Sequence, residues 1–251
     1  GLLNNEQKEA IENINGPLLI IAGAGSGKTR VLTYRYAHLI KTYGINFENV
    51  LAITFTNKAA NEMKDRISDL LNLELSPKWI STFHSLCVKM LRIHGHLIGF
   101  NNNFTIYDQS DSTKLVRNCM RDSDIDTKQY SPKRIQAHIS SLKNQRILPG
   151  EAVEFAQSFF DVKVAEIYSS YQKKLMLANS MDFDDLLIKA VELLETSDKS
   201  LNYWSSKFQY IMIDEYQDTN MVQYRLVELL ASKHKNICCL LYTSPSPRDG
   251  L

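Results

Sequence analysis

A short apolar run, a polar loop and an amphipathic stretch follow one another four times in this sequence. Residues 16–40 read GPLLIIAGAGSGKTRVLTYRYAHLI, an apolar run, a glycine-rich turn and a helical pattern. NVLAITFTNKAANEMKDRISDLL (49–71) and KWISTFHSLCVKMLRIHG (78–95) repeat the arrangement, and FQYIMIDEYQDTNMVQYRLVELLAS (208–232) repeats it once more. Apolar strands alternating with amphipathic helices predict an α/β fold, a parallel sheet covered on both faces. From about 97 to 203 the pattern changes to helical periodicity with little strand signal, broken by Pro132 and by the Pro149-Gly150 pair. That stretch predicts a helical subdomain inserted into the α/β domain. The expected division is therefore 1–96 and 204–238 for the α/β domain and 97–203 for the insertion.

The first polar loop carries candidate chemistry. AGAGSGKT (22–29) lies between a predicted strand and a predicted helix. Gly23, Gly25 and Gly27 allow a tight turn that aims backbone N–H groups at phosphate oxygens, with Ala22, Ala24 and Ser26 completing the loop. Lys28 can reach the β- and γ-phosphates, the Thr29 hydroxyl can ligate Mg²⁺, and the helix N-terminus favours negative charge. The strict pattern GxxxxGK[ST] has glycine where this chain has Ala22. A phosphate loop needs a carboxylate partner, and YIMIDEYQD (210–218) ends an apolar strand in Asp214-Glu215. Asp214 fits the magnesium role and Glu215 the general base that activates water.

Composition changes little. With 44% hydrophobic and 23% charged residues and a net charge of +1, the 251-residue chain has material for a sizeable core and no global sign of a nucleic-acid partner. Any DNA contact has to come from a local surface. Cys87, Cys119, Cys238 and Cys239 form no CxxC pair and are expected to be buried thiols in a reducing cytosol. No apolar run reaches the ~18 residues of a membrane span, so no membrane partner is expected. Gly1 in place of an initiating methionine is expected of a fragment or a processed end. In the helical stretch Lys114, Arg117, Arg121, Lys128, Lys133, Arg134, Lys143 and Arg146 alternate with Asp111, Asp122, Asp124 and Asp126. They read either as duplex contacts or as a solvated mixed-charge face.

Taken in order, these motifs resemble superfamily 1 helicases of the UvrD/Rep/PcrA type, over residues 2 to about 238. LNNEQKEAI (3–11) resembles the adenine-recognition segment, with Gln7 as base reader; AGAGSGKTR resembles motif I, in which alanine is tolerated at the first position and Arg30 is a nucleotide contact. ITFTNKAANEM (53–63) resembles motif Ia, STFHSL (81–86) the DNA-contact motif after it, and DFDDLL (182–187) an acidic segment late in the inserted subdomain. IDEYQDTN (213–220) resembles motif II, with Gln217 sensing nucleotide and Asp218 supporting the site.

The resemblance implies a RecA-like P-loop sheet with an inserted all-helical subdomain, ATP and Mg²⁺ as cofactors, and 3′-to-5′ movement on single-stranded DNA with unwinding at single-strand/duplex junctions. It implies a monomer working in repair or replication in the bacterial cytosol, associated with the nucleoid. Its DNA contacts would be Thr54, Phe55, Thr56, Asn57, Lys58, Thr82 and His84, with Phe55 stacking on a base. Lys28, Glu215 and Gln217 would carry catalysis. The phosphate loop alone is equally compatible with a P-loop module of another class, a switch or a phosphotransferase; ITFTNKAANEM, STFHSL and DEYQD discriminate against it.

The end of the sequence departs from that family. After KNIC (235–238) the Gly-Asp-x-Asp-Gln-Ser segment of motif III is expected, and CLLYTSPSPRDGL stands instead. Cys239 to Asp249 read as a translated transposon-type sequencing adapter, so 239–251 is expected to be a non-native tail. CLLYT is apolar enough to finish a buried strand, and SPSPRDGL is expected to be disordered. Without motif III and the second RecA-like domain, the chain is expected to bind nucleotide and unwind nothing.

Overall fold

A computed structural model describes residues 3–23, 27, 29–74 and 76–243. The chain opens with α1 (Asn5–Glu12), β1 (Leu18–Gly23), α2 (Thr29–Tyr43), β2 (Val50–Thr54), α3 (Asn57–Leu71), β3 (Ile80–Thr82) and α4 (Phe83–His94). There follow β4 (Thr105–Tyr107), α5 (Gln109–Asp122), α6 (Pro132–Asn144), α7 (Phe159–Leu177), β5 (Ser180–Asp182) and α8 (Phe183–Thr196). Last come α9 (Asp198–Lys207), β6 (Tyr210–Ile213), α10 (Met221–Leu230) and β7 (Ile237–Thr243). The chain divides into two compact units, the first made of Gly1–Leu86, Asp198–Thr219 and Val227–Leu251, the second of Cys87–Ser197 and Asn220–Leu226.

The first unit is built on a five-stranded sheet in the order β1-β7-β6-β2-β3, every pairing parallel. Its register sets Leu18 opposite Cys238, Ile211 opposite Ile237, Val50 opposite Tyr210 and Ala52 opposite Ile80. The central strands β2 and β6 are buried along their whole length, which is why VLAIT and YIMI show no polar alternation. Edge strand β1 does alternate, with Leu19 and Ile21 exposed. One core joins Leu32, Tyr36 and Leu39 of α2 and Met63 and Ile67 of α3 to Val50, Ile80, Met212, Cys238 and Leu240 of the strands. Residues 239–243, expected to be foreign, complete β7 down to the pair Gly23–Thr243, because a central strand asks mainly for apolar, β-tolerant side chains. The predicted disorder of SPSPRDGL concerns residues outside the described ones.

The second unit packs α5, α6 and α7 around Val116, Met120, Ile135, Ile139, Ile167, Tyr168 and Leu175. Pro132 occupies the first turn of α6 behind the Ser131 cap, where its missing N–H is no loss. The unit also holds a two-stranded parallel ladder, Thr105–Tyr107 with Ser180–Asp182. Strands of three residues are too short to show a period, which is why the sequence reads as purely helical there. Of the interleaved cations, Lys143 departs from both readings. It is buried, and its ammonium lies 2.7 Å from Asp182 and 2.9 Å from Asp185. The other seven are exposed.

Candidate functional site

In a parallel α/β sheet, side chains at the carboxyl ends of the strands converge on one edge. Gly23 ends β1, Thr54 ends β2, Thr82 ends β3 and Asp214 follows β6, so the four predicted motif segments open at that edge of the first unit. Ala22 and Gly23 are the last residues of β1. Gly27 has φ +64°, a left-handed conformation that glycine adopts without steric cost. Its carbonyl accepts the N–H of Arg30 at 3.2 Å. Ala24, Gly25, Ser26 and Lys28 lie outside the described residues.

Thr29 begins α2, and its Oγ1 donates to Asp214 Oδ2 at 3.4 Å, a contact across 185 residues of sequence. Threonine hydroxyl and aspartate carboxylate are the hard oxygen donors that magnesium takes, so the residues present fit that ion by chemistry. The other carboxylate oxygen, Oδ1, is occupied. It accepts the Glu215 N–H at 2.9 Å and the Tyr242 hydroxyl at 3.0 Å. Asp214 is 4% exposed. Burial pushes its carboxyl above the ordinary range, against the hydrogen bonds from Tyr242, Glu215 and Thr29. Burial likewise pushes the Tyr242 phenol up, so that it stays a donor.

Glu215 adopts φ 53° and ψ 43°, a left-handed conformation that a non-glycine residue holds at a cost of about 1–2 kcal/mol. It turns the chain sharply after β6. Gln217 bridges the turn to β7: its Nε2 donates to Glu215 Oε2 at 3.3 Å and its Oε1 accepts the Tyr242 N–H at 3.0 Å. Asp218 is exposed, and its N–H closes the turn on the Glu215 carbonyl at 2.9 Å.

The other strand ends present different side chains. Thr54 is buried, its hydroxyl donating to the Thr56 carbonyl at 3.2 Å. Thr82 is buried too, bonded to Ser85 through both the Ser85 N–H and its hydroxyl. The Thr56 hydroxyl caps α3 by accepting the Ala59 N–H at 3.1 Å. Phe55 is half-buried and meets Phe83 edge to face, with ring centres 5.4 Å apart. Thr56, Asn57, Lys58 and His84 are exposed.

Gln7 stands in the first turn of α1, in a reciprocal cap. Its N–H donates to Asn4 Oδ1 at 2.7 Å and its Oε1 accepts the Asn4 N–H at 3.0 Å. The guanidinium of Arg30 lies 5.4 Å from the Tyr34 ring centre. Sequence reasoning missed two residues here. Tyr242 carried no local signal, since its position depends on the β6–β7 register. Arg35 did carry one: it is a lone charge at helical spacing from Leu32 and Leu39 on the apolar stripe of α2.

The sequence profile of the UvrD/REP helicase N-terminal domain matches residues 3–240. The ATP-dependent DNA helicase PcrA of Staphylococcus aureus is 48% identical over 236 residues, covering 94% of this chain and 32% of its own length. The protein of the same name from Staphylococcus epidermidis is 47% identical over the same span, with the same coverage. The chain thus spans 32% of the length of the curated relatives it matches.

Proposed function

Because the chain belongs to the UvrD/REP helicase N-terminal domain family, we propose that it is the nucleotide-binding part of an ATP-dependent motor that moves 3′ to 5′ along single-stranded DNA. The observation that carries this reading is the Thr29–Asp214 contact, which brings the phosphate-loop helix and the acidic strand end together at the carboxyl edge of the sheet. The loop 22–28 would cradle the phosphates, with Lys28 and Arg30 supplying positive charge and Gln7 reading the base. Magnesium, held by Thr29 and Asp214, would neutralise charge on the phosphate oxygens. Glu215 would take the proton of the attacking water, and Gln217, hydrogen-bonded to Glu215, would orient it.

Phe55 is the base-stacking candidate, with Thr56, Asn57, Lys58 and His84 around it for the DNA backbone. Thr54 and Thr82, whose hydroxyls are turned onto Thr56 and Ser85, would act by shaping those strand ends. In this reading residues 1–96 and 204–238 form the ATP-binding domain, 97–203 the inserted subdomain and 239–251 a foreign tail. The working place is the cytosol, on single-strand/duplex junctions, as a monomer. Taken alone, the 251-residue chain would bind nucleotide, hydrolyse it slowly and unwind nothing. The Tyr242 hydroxyl on Asp214 supports that last statement, because a protein group competes there with magnesium and its water.

Titration of a fluorescent ADP analogue with Mg²⁺ tests the reading. Saturable binding is expected, weakened about tenfold (about 1.4 kcal/mol) by Thr29→Val. Absence of binding, or indifference to Thr29→Val, contradicts it.

A further inference from the structure

Arg35 is 1% exposed, yet its hydrogen-bond partners are backbone carbonyls. One guanidinium nitrogen donates to Ala10 O at 2.7 Å and Asn13 O at 2.5 Å, and the other to Ile14 O at 3.2 Å. These carbonyls belong to the last turn of α1 and the residues just after it. A helix leaves its final carbonyls unsatisfied, and the partial negative charge there attracts a cation. A buried ion still costs several kcal/mol of desolvation, and an apolar side chain of similar size often serves packing as well or better. Packing alone therefore accounts poorly for an arginine at this position.

A planar fork differs from apolar packing in being directional. Ile11 of α1 and Ile14 just after it are buried, but burial is insensitive to small rotations and slides. Three carbonyls held by one guanidinium fix both. The helix so fixed has eight residues, too few to be stable by propensity. Ala10 lies one turn from Gln7, about 4.5 Å along the axis. At the other end of the link, Arg35 stands on α2 less than two turns beyond Thr29, where the phosphate site begins.

We propose that Arg35 is a positioning residue for base recognition, setting where Gln7 stands relative to the Thr29 end of α2 by clamping the end of α1 onto that helix. The inference rests on the reading of Gln7 as the base reader. It makes selectivity between a nucleotide and its bare phosphate chain depend on a residue that touches neither.

Calorimetric titration of the 251-residue chain with ATP·Mg²⁺ and with inorganic triphosphate and Mg²⁺ separates the possibilities. Arg35→Met is expected to weaken ATP about tenfold and triphosphate less than twofold. Gln7→Ala is expected to do the same, and the double variant to lose no more than either single one, as residues acting through one contact should. Arg35→Lys, which keeps the charge but not the fork, should fall between wild type and Arg35→Met for ATP alone. It carries the test should Arg35→Met fail to fold. Equal losses for both ligands, no loss for ATP, or losses that multiply in the double variant overturn the inference while leaving the base-reader reading in place. A Gln7→Ala variant that binds ATP like wild type overturns that reading, and the inference with it.

Discussion

A single hydroxyl engages the carboxylate of the candidate metal site. Tyr242 donates to the carboxylate oxygen of Asp214 that Thr29 does not use. Removing it should therefore act in opposite directions on stability and on ligand binding. Tyr242→Phe loses a hydrogen bond to an ionisable buried group, worth about 1.5–3 kcal/mol, and should melt several degrees lower. It should also bind ADP·Mg²⁺ several-fold more tightly than wild type, with affinity measured in EDTA unchanged. A contact with only a structural role would lower the melting temperature and leave the magnesium dependence as it was. Comparison of thermal melts with ADP titrations, with and without Mg²⁺, decides between them. Nothing in the linear order of YTSPSP hints at this contact. It arises because β7 enters the sheet beside β6 and brings residue 242 over the end of that strand.

At the scale of elements, long apolar runs were legible and short or shared features were not. VLAIT and YIMI announce central parallel strands, since a strand covered on both faces has no polar side to show. That the acidic pair closes an apolar strand was legible too, because YIMI runs straight into Asp214. The β4–β5 ladder was hidden by its length. The buried role of Lys143 was hidden by distance, its partners lying 39 and 42 residues away.

That ion cluster, joined by Tyr171 donating to Asp182 at 2.7 Å and Gln172 to Asp185 at 3.1 Å, predicts a pH signature. Burial pushes the Asp185 carboxyl up. Burial raises Asp182 as well, but Lys143 and Tyr171 outweigh it and hold that carboxyl below its ordinary range. A lowered carboxylate contributes stability that is present above its unfolded pKa and is lost as pH falls through the folded one. Lys143→Met leaves two buried carboxylates without a cation. It should destabilise by about 3–5 kcal/mol at pH 7. Both carboxyls then sit above their unfolded values, so this variant should regain more stability on acidification to pH 5 than wild type, in which the raised Asp185 is opposed by the lowered Asp182. Urea denaturation at the two pH values checks it. On the strand-end surface, Phe55→Ala should weaken oligo-dT binding by about 1–3 kcal/mol, read by fluorescence anisotropy at fixed salt; an unchanged affinity removes Phe55 from the DNA face.

At the scale of the whole molecule, the parallel sheet gathers segments near residues 23, 54, 82 and 214 onto one edge although they are scattered over most of the sequence. The cysteines belong to the interior of the two units. All four are free and buried, with burial pushing Cys87 and Cys119 up and holding Cys238 at about 11 and Cys239 at about 12. A disulfide-exchange reagent at pH 8 should label none of them in the folded chain and all of them in denaturant; rapid labelling of the native protein would contradict the closed cores. The central proposal is that this chain builds a nucleotide site and, taken alone, hydrolyses nucleotide slowly. Its most direct test is calorimetric titration of ATP·Mg²⁺ into the 251-residue chain, with phosphate release followed in the same sample with and without single-stranded DNA. The account predicts saturable binding of one nucleotide per chain, with phosphate release close to background and no stimulation by DNA. Absence of binding, or DNA-stimulated hydrolysis at the rate of a working helicase, would contradict it.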